Sequence, residues 1–141
     1  MPDPAGYSGT PLVRKLGLRP GMRVRLLDAP AAYWEILGGE PEALGVLLHG
    51  GDGPVEFTHL FATRAQRLRE LFALARKGMA DDGLVWASWP KKAAGIESEV
   101  SRAEVFDAGH AVGLVDIKVA AVDASWSGLE FVIPRAARRK S

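Results

Sequence analysis

The sequence predicts a three-layer α/β domain whose sheet is mostly parallel, holds five to six strands and ends in an antiparallel hairpin. Three observations predict it. Short aliphatic runs alternate with helical patterns from residue 12 onward, the alternation that builds a sheet with helices on its faces. Leu68, Leu71, Phe72 and Ala75 recur at i, i+3, i+4 and i+7, which sets one apolar stripe along a helix between two strands. Two strand-like runs, 114–123 and 129–134, flank Ala124, Ser125, Trp126, Ser127 and Gly128, the pattern of a hairpin with a short connection.

Taken in order, residues 1–9 are rich in Pro, Gly and Ser and are expected on the surface. Thr10 and Pro11 read as a helix N-cap followed by proline at the first helical position. Leu12, Val13 and Leu16 form the apolar stripe of that helix, and Gly17 stops it. The first strand spans 23–28. A short helix over 31–38 presents Trp34 and Leu37 on one face and ends at Gly38 and Gly39. Residues 43–49 read as a second strand, 50–54 as a turn, and 55–62 as a third strand. Thr63 to Gln66 fits a capping box opening the long helix, which Gly78 stops. The fourth strand covers 83–89. Ser101 to Glu104 fits a second capping box, with Val105, Phe106 and Val112 turned inward and Gly113 at the stop. One link resists a parallel reading. About five residues join the second and third strands, too few for a helical crossover of a dozen or more. The second strand is therefore antiparallel, or on the edge, or the chain returns extended.

Composition bounds the class. The 141 residues are 48% hydrophobic and 25% charged, as in an ordinary globular domain. One α/β domain is expected over 1–134, followed by a basic tail over 135–141. The net charge of +1 conceals a split. Arg135, Arg138, Arg139 and Lys140 belong to the tail, and without these four the remaining 14 basic residues face 17 acidic ones. Without cysteine there is no disulfide, thiolate metal site or cysteine nucleophile. The first residues lack the basic and apolar regions of a signal peptide, and no apolar run approaches membrane-spanning length. A bacterial-type cytoplasm is the expected location, with no membrane partner.

Three segments carry a resemblance. Gly6 to Leu12 (Gly-Tyr-Ser-Gly-Thr-Pro-Leu), Trp89 to Lys92 (Trp-Pro-Lys-Lys) and Trp126 to Leu129 (Trp-Ser-Gly-Leu) resemble the segments of a family of small bacterial proteins of unknown function. More broadly, the order of elements, the Met79 to Trp86 phrase after a long helix and the final hairpin resemble a class I methyltransferase-type, Rossmann-like sheet. About one helix–strand–helix unit of that fold is missing. In that fold a glycine-rich turn follows the first strand, so that a cofactor can lie against the backbone. Here the first strand is followed by Asp28, Ala29, Pro30, Ala31, Ala32 and Tyr33, and every one carries a Cβ or a ring.

In open α/β sheets, ligands sit at the carboxyl ends of the parallel strands. That rule gathers five segments on one rim. Ser8 and Thr10 lie at the start of the first helix; each reads as a cap or a ligand contact. Asp28 follows the first strand, as a cap for the next helix or a holder of a ligand hydroxyl. Thr63 and Arg64 follow the third strand. Trp89, Lys91 and Lys92 follow the fourth: the lysines read as a solvated pair or an anion site, and the tryptophan as core or as a stacking platform. Asp123, Trp126 and Ser127 follow the fifth, at the hairpin tip. The Trp89–Pro90 bond is a candidate for the cis form.

Other chemistry is thin. His49, His59 and His110 are scattered, no His/Asp/Glu set has metal-ligand spacing, and His59 reads as packed within its strand. Gly51-Asp52-Gly53 precedes a strand, so it is not a dinucleotide loop. No nucleophile elbow occurs. Glu97, Glu99 and Glu104 fit a solvated helix face. Basic residues are not interleaved with aromatics, so nucleic-acid binding is not expected as the main role. These readings assign no catalytic residue, metal, cofactor or oligomeric state. They favour a non-catalytic or uncharacterised module that binds a small anionic or planar ligand, or a protein partner, at the carboxyl rim. One rival is a divergent S-adenosylmethionine-dependent methyltransferase, with Asp28 near the cofactor and Asp52 near its ribose; Ala29 and Pro30 oppose it. The other is a structural or oligomerising protein that uses Trp126 and the edge hairpin as its contact.

Overall fold

The computed structural model describes residues 11–49 and 54–138. Six strands form one sheet in the order β2–β1–β3–β4–β6–β5. They are β1 (Arg23–Leu27), β2 (Leu47–Leu48), β3 (Val55–Phe61), β4 (Met79–Pro90), β5 (Val115–Ala121) and β6 (Trp126–Val132). Strands β1 to β4 are mutually parallel, and β6 runs antiparallel between β4 and β5. Helices α1 (Leu12–Lys15), α2 (Tyr33–Leu37) and α3 (Pro41–Leu44) serve one face, and α4 (Ala65–Lys77) and α5 (Arg102–Ala111) the other. The predicted three-layer, mostly parallel sheet is the observed one. No described helix is long and apolar enough to cross a membrane.

Two apolar clusters hold the layers together. The stripe Leu68, Leu71, Phe72 and Ala75 of α4 is fully covered and packs with Leu60, Val85 and Phe131. Covering each large side chain of this kind contributes about 1.5–3 kcal/mol. On the opposite face Leu16, Tyr33, Phe57 and Trp86 pack together, and the Trp86 indole N–H donates to the Leu16 carbonyl at 2.7 Å. Because β3 is central, its side chains are buried on both faces from Phe57 to Phe61.

Several boundaries differ from the sequence reading. Residues 43–49 are not one strand. Pro41 opens α3, Gly45 turns the chain in the left-handed region (φ 74°), and only Leu47 and Leu48 pair with β1. This edge strand is parallel to β1 and lies beside its amino-terminal end alone. A strand so short needs no helical crossover to reach β3, which explains the short link. The predicted turn over 50–54 lies outside the described residues except for Pro54, as do Ser8, Thr10, Asp52, Arg139 and Lys140. Strand β4 starts at Met79 rather than 83, because Met79 already pairs with Val55. The register then slips so that Leu84 faces Phe57, and Gly83 sits where a Cβ would lie 2.8 Å from the Val55 carbonyl oxygen. Trp126, Ser127 and Gly128 are strand rather than hairpin tip, paired with Pro90, Trp89 and Ser88. Phe106 is 41% exposed instead of inward, because its ring leans on His110 with centroids 4.2 Å apart. The Trp89–Pro90 bond is trans.

The two capping boxes have different fates. Ser101 and Glu104 form theirs as expected. Thr63 and Gln66 do not: Arg64 is the N-cap of α4, and Gln66 turns to Glu70 and Arg69. The N-terminal amide of Ala65 donates instead to Glu99 Oε1 at 2.9 Å, from a loop 34 residues away. Glu99 is thus a long-range cap rather than part of a solvated helix face. Glu99→Ala is expected to lower the melting temperature by about 3 °C, whereas Gln66→Ala leaves it unchanged; calorimetry on both variants checks the pair. The other end of α4 is capped across the sheet as well. Arg25 of β1 donates to the Leu74 and Ala75 carbonyls at 3.0 and 3.4 Å, and places a cation where the helix dipole is negative. Gly78 leaves room for it, since a Cβ there would lie 2.6 Å from an Arg25 nitrogen.

Candidate functional site

The chain leaves β1 toward β2 on one side and β3 toward β4 on the other. The carboxyl ends of β1 and β3 therefore flank a topological switch point, where open α/β sheets leave a crevice. A cavity of about 290 Å³ lies there, lined by Asp28, Phe61, Thr63, Arg64, Arg67 and Trp126.

Asp28 sets the shape of this crevice. Its φ is 58°, so it is the one non-glycine among the described residues in the left-handed region, which Asp tolerates better than most side chains. The sharp turn that a glycine would make after β1 is made by an aspartate. The turn aims its carboxylate at α4 rather than at α2, whose N-cap is Ala32 with no side-chain bond. Arg67 meets that carboxylate with two donors, Nε to Oδ2 at 2.8 Å and Nη2 to Oδ1 at 3.0 Å, while its Nη1 donates to Glu70 at 3.2 Å. The Arg67 hydrogen bonds hold the Asp28 carboxyl below its usual range, and Asp28 in turn raises the guanidinium.

Aromatic rings form the wall and the layer beneath it. Trp126 meets Phe61 edge-on with centroids 5.0 Å apart. Phe61 stacks on His59 at 4.4 Å. His59 is fully buried, with Nδ1 2.9 Å from the Tyr33 hydroxyl and Nε2 2.8 Å from Ser88 Oγ. Burial without a charged partner pushes its pKa down to about 3. It is packed, as its place in the strand implied, and supports the cavity from below.

A second cavity of about 560 Å³ lies beside the first, lined among others by Trp89, Lys91, Lys92, Glu99, Glu104 and Ser127. A strap separates the two. The Glu99 amide donates to the Thr63 carbonyl at 2.8 Å, beside the Glu99 cap on Ala65.

The predicted rim residues thus fall into three groups. Asp28, Thr63 and Trp126 line the switch-point cavity, and Trp89, Lys91, Lys92 and Ser127 line its neighbour. Trp89 is also core, at 9% exposure. Asp123 lines neither: its Oδ1 accepts the Ser125 and Trp126 amides, each at 2.8 Å, and shapes the hairpin turn. Arg64, expected beside Thr63 after the third strand, lines the first cavity too, whereas Arg67 and Phe61 were not anticipated. The signal for Arg67 was its place in the first turn after a rim strand. Among the described residues no three His, Asp or Glu side chains are placed to hold a metal ion.

No family model matches the chain, and no curated protein matches it. Among solved structures the chain is similar to Aeropyrum pernix fibrillarin in complex with natively bound S-adenosyl-L-methionine, at 14% identity, over 90% of this chain and 70% of that one, with a TM-score of 0.55. It is similar to a Methanococcus jannaschii fibrillarin pre-rRNA processing protein at 12% identity, over 91% and 70%, with a TM-score of 0.52. A SAM-dependent methyltransferase from Aquifex aeolicus aligns at 14% identity, over 85% and 86%, with a TM-score of 0.56. At such identities the likeness is one of fold: the sheet is methyltransferase-like and Rossmann-type.

Proposed function

We propose that this protein binds a small anionic ligand with a planar part in the crevice between the carboxyl ends of β1 and β3. One observation carries the reading. The carboxylates that line the two cavities are spent on the protein itself, whereas three of the four cations that line them are not. Asp28 holds Arg67, Asp123 holds backbone amides, Glu99 caps α4 and Glu104 caps α5. The side chains of Arg64, Lys91 and Lys92 make no hydrogen bond or ion pair with another described residue. Among the described residues that line the cavities, an incoming anion meets cations free to receive it, and an incoming cation meets no free carboxylate. The half-buried Trp126 offers a planar ligand an apolar, polarisable face.

The fold supports a second reading, S-adenosylmethionine-dependent methyl transfer. The residues after β1 do not fit that cofactor in the usual way. Ala29 and Pro30 stand where glycines would let it approach the backbone, and the Asp28 carboxylate is engaged. The sulfonium would also meet no free carboxylate among the described residues that line the two cavities.

Thermal unfolding separates the readings. A ligand at about a hundred times its dissociation constant adds about 2.7 kcal/mol, a rise of roughly 10 °C for a chain of this size. S-Adenosylmethionine, S-adenosylhomocysteine, nucleotides and simple organic acids form the panel. The expected result is a rise with a planar anion that Arg64→Ala at least halves, and no rise with S-adenosylmethionine. A rise confined to S-adenosylmethionine and its product favours the methyltransferase reading instead.

A further inference from the structure

Resting on the reading above, we infer that the switch-point cavity takes a small aromatic monocarboxylate, its carboxylate on Arg64 and its ring against Trp126 and Phe61. Size sets the first limit. About 290 Å³ is the space of roughly ten water molecules at about 30 Å³ each, at the lower end of ligand pockets, which run from about 300 to 1,000 Å³. One aromatic ring and one short acidic group fill it. Charge sets the second limit. Two arginines, Arg64 and Arg67, and one aspartate, Asp28, line the cavity, which leaves +1. Arg67 already answers Glu70 as well as Asp28, so Arg64 alone meets the charge of the ligand. A single negative charge balances the site. A phosphate monoester, close to doubly charged, brings a second one that only adds repulsion from the Asp28 carboxylate.

The polar groups left over in this cavity are donors. The Arg64 side chain, the Thr63 hydroxyl and the Trp126 indole N–H make no hydrogen bond with another described residue. Asp28, the lining carboxylate, already receives two bonds from Arg67. A ligand with acceptors gathered at one end answers this set, and carboxylate oxygens are acceptors only. The planar guanidinium of an arginine matches a carboxylate with two parallel bonds. Arg64 is also the N-cap of α4, so the positive end of that helix adds to its charge. The rest of the wall is apolar. Phe61 and Ala62 are buried, and Phe61 holds the half-buried Trp126 edge-on with centroids 5.0 Å apart. A ring against these groups leaves water, whereas an aliphatic acid the size of acetate leaves the aromatic wall wet.

Isothermal titration with benzoate, benzyl alcohol, acetate and phenyl phosphate tests this on the wild type, on Arg64→Ala and on Arg64→Lys. Benzoate is expected to bind at least about tenfold more tightly than each of the other three. Arg64→Ala should bring benzoate down to the affinity of benzyl alcohol. Arg64→Lys keeps the charge but not the fork, and should recover only part of that loss. Arg64 is exposed and bonds to no other described residue, so both variants should melt as the wild type does without ligand. Unchanged benzoate affinity in Arg64→Ala overturns the inference. Phenyl phosphate as tight as benzoate, with both weakened in Arg64→Ala, overturns the monocarboxylate and leaves the planar-anion reading standing. Acetate or benzyl alcohol as tight as benzoate overturns both. If these probes stay silent while a larger planar anion of the earlier panel binds through Arg64, the size limit is wrong and this inference falls alone. If neither panel binds, both fall.

Discussion

Gly109→Ala is expected to lower the melting temperature by about 10 °C, although alanine is the better helix former. Inside α5, in its last turn, alanine would gain up to about 1 kcal/mol over glycine from propensity alone. The space is not there. A Cβ on Gly109 would lie 2.2 Å from one carbon of the Phe131 ring and within 2.7 Å of two more. Phe131 is fully buried and held edge-on by Phe72 at 5.1 Å, so it has no free direction in which to swing. Relief requires α5 to lift from the sheet; overpacking costs roughly 1–3 kcal/mol and occasionally more, and a Cβ this close belongs to the upper end, about 3–4 kcal/mol before the propensity gain is subtracted. The net loss of about 2–3 kcal/mol corresponds to the stated fall. The control is Phe131→Leu, which opens a gap under the helix. If the contact is the cause, Gly109→Ala costs much less in the Phe131→Leu background, with a coupling above about 1 kcal/mol. Additive losses in the double variant, or a rise in melting temperature in Gly109→Ala alone, refute this account of the close approach of α5.

Gly109 also shows where sequence reading ended. The capping box at Ser101 and the inward Val105 were legible because they depend on residues three or four apart. The need for glycine at 109 depends on a ring 22 positions away. The same divide separates the two helix starts. Ser101 and Glu104 cap each other within one turn, so the pattern sufficed. Thr63 and Gln66 have the same spacing, yet Glu99 takes the role, because the loop before α5 is pinned beside α4 by the Thr63 carbonyl. The alternation of strands and helices, the long α4 stripe and the antiparallel close were all readable, since they rest on periodicity. The extent of β2 was not. Leu47 and Leu48 look like strand interior, but at 59% and 60% exposure they are the end of an edge.

The rim divides in the same way. Topology alone placed Asp28, Thr63 and Lys91 after the carboxyl ends of strands and Trp126 on the same rim, and they stand there, Trp126 as the first residue of β6. Their partners could not be read. Asp28 and Arg67 are 39 residues apart, and nothing in the spacing says that the acid after β1 spends itself on α4 instead of capping α2. That single pairing changes the character of the crevice: a free carboxylate there would favour a cationic ligand, and an engaged one leaves Arg64 to set the sign.

Beneath the crevice, His59 makes the protein lose stability in weak acid. Its ring nitrogens touch only the Tyr33 and Ser88 hydroxyls, and Phe57, Phe61 and Trp86 surround it. No carboxylate contacts it, so a proton on the ring is an uncompensated buried charge, and the folded-state pKa falls to about 3 against an ordinary 6.5. The unfolded chain takes up the proton first. The stability due to the neutral ring is complete above pH 6.5 and drains away as the pH falls toward 3, at about 1.4 kcal/mol per unit. Between pH 6.5 and 5 the loss is about 2 kcal/mol, before carboxylates protonate. His59→Gln keeps a donor and an acceptor between the two hydroxyls but cannot titrate. It is expected to be less stable than the wild type at pH 7.5 and to lose that extra slope between pH 6.5 and 5. Urea unfolding at four pH values measures both slopes. An identical slope in the two proteins would mean that His59 is protonated alike in the folded and unfolded chains. The buried Tyr33–His59–Ser88 chain would then have to open to water below Phe61, which is the floor of the proposed site. A difference in slope means that the folded chain keeps the ring neutral and closed to water, so the floor of the proposed site stays shut below Phe61.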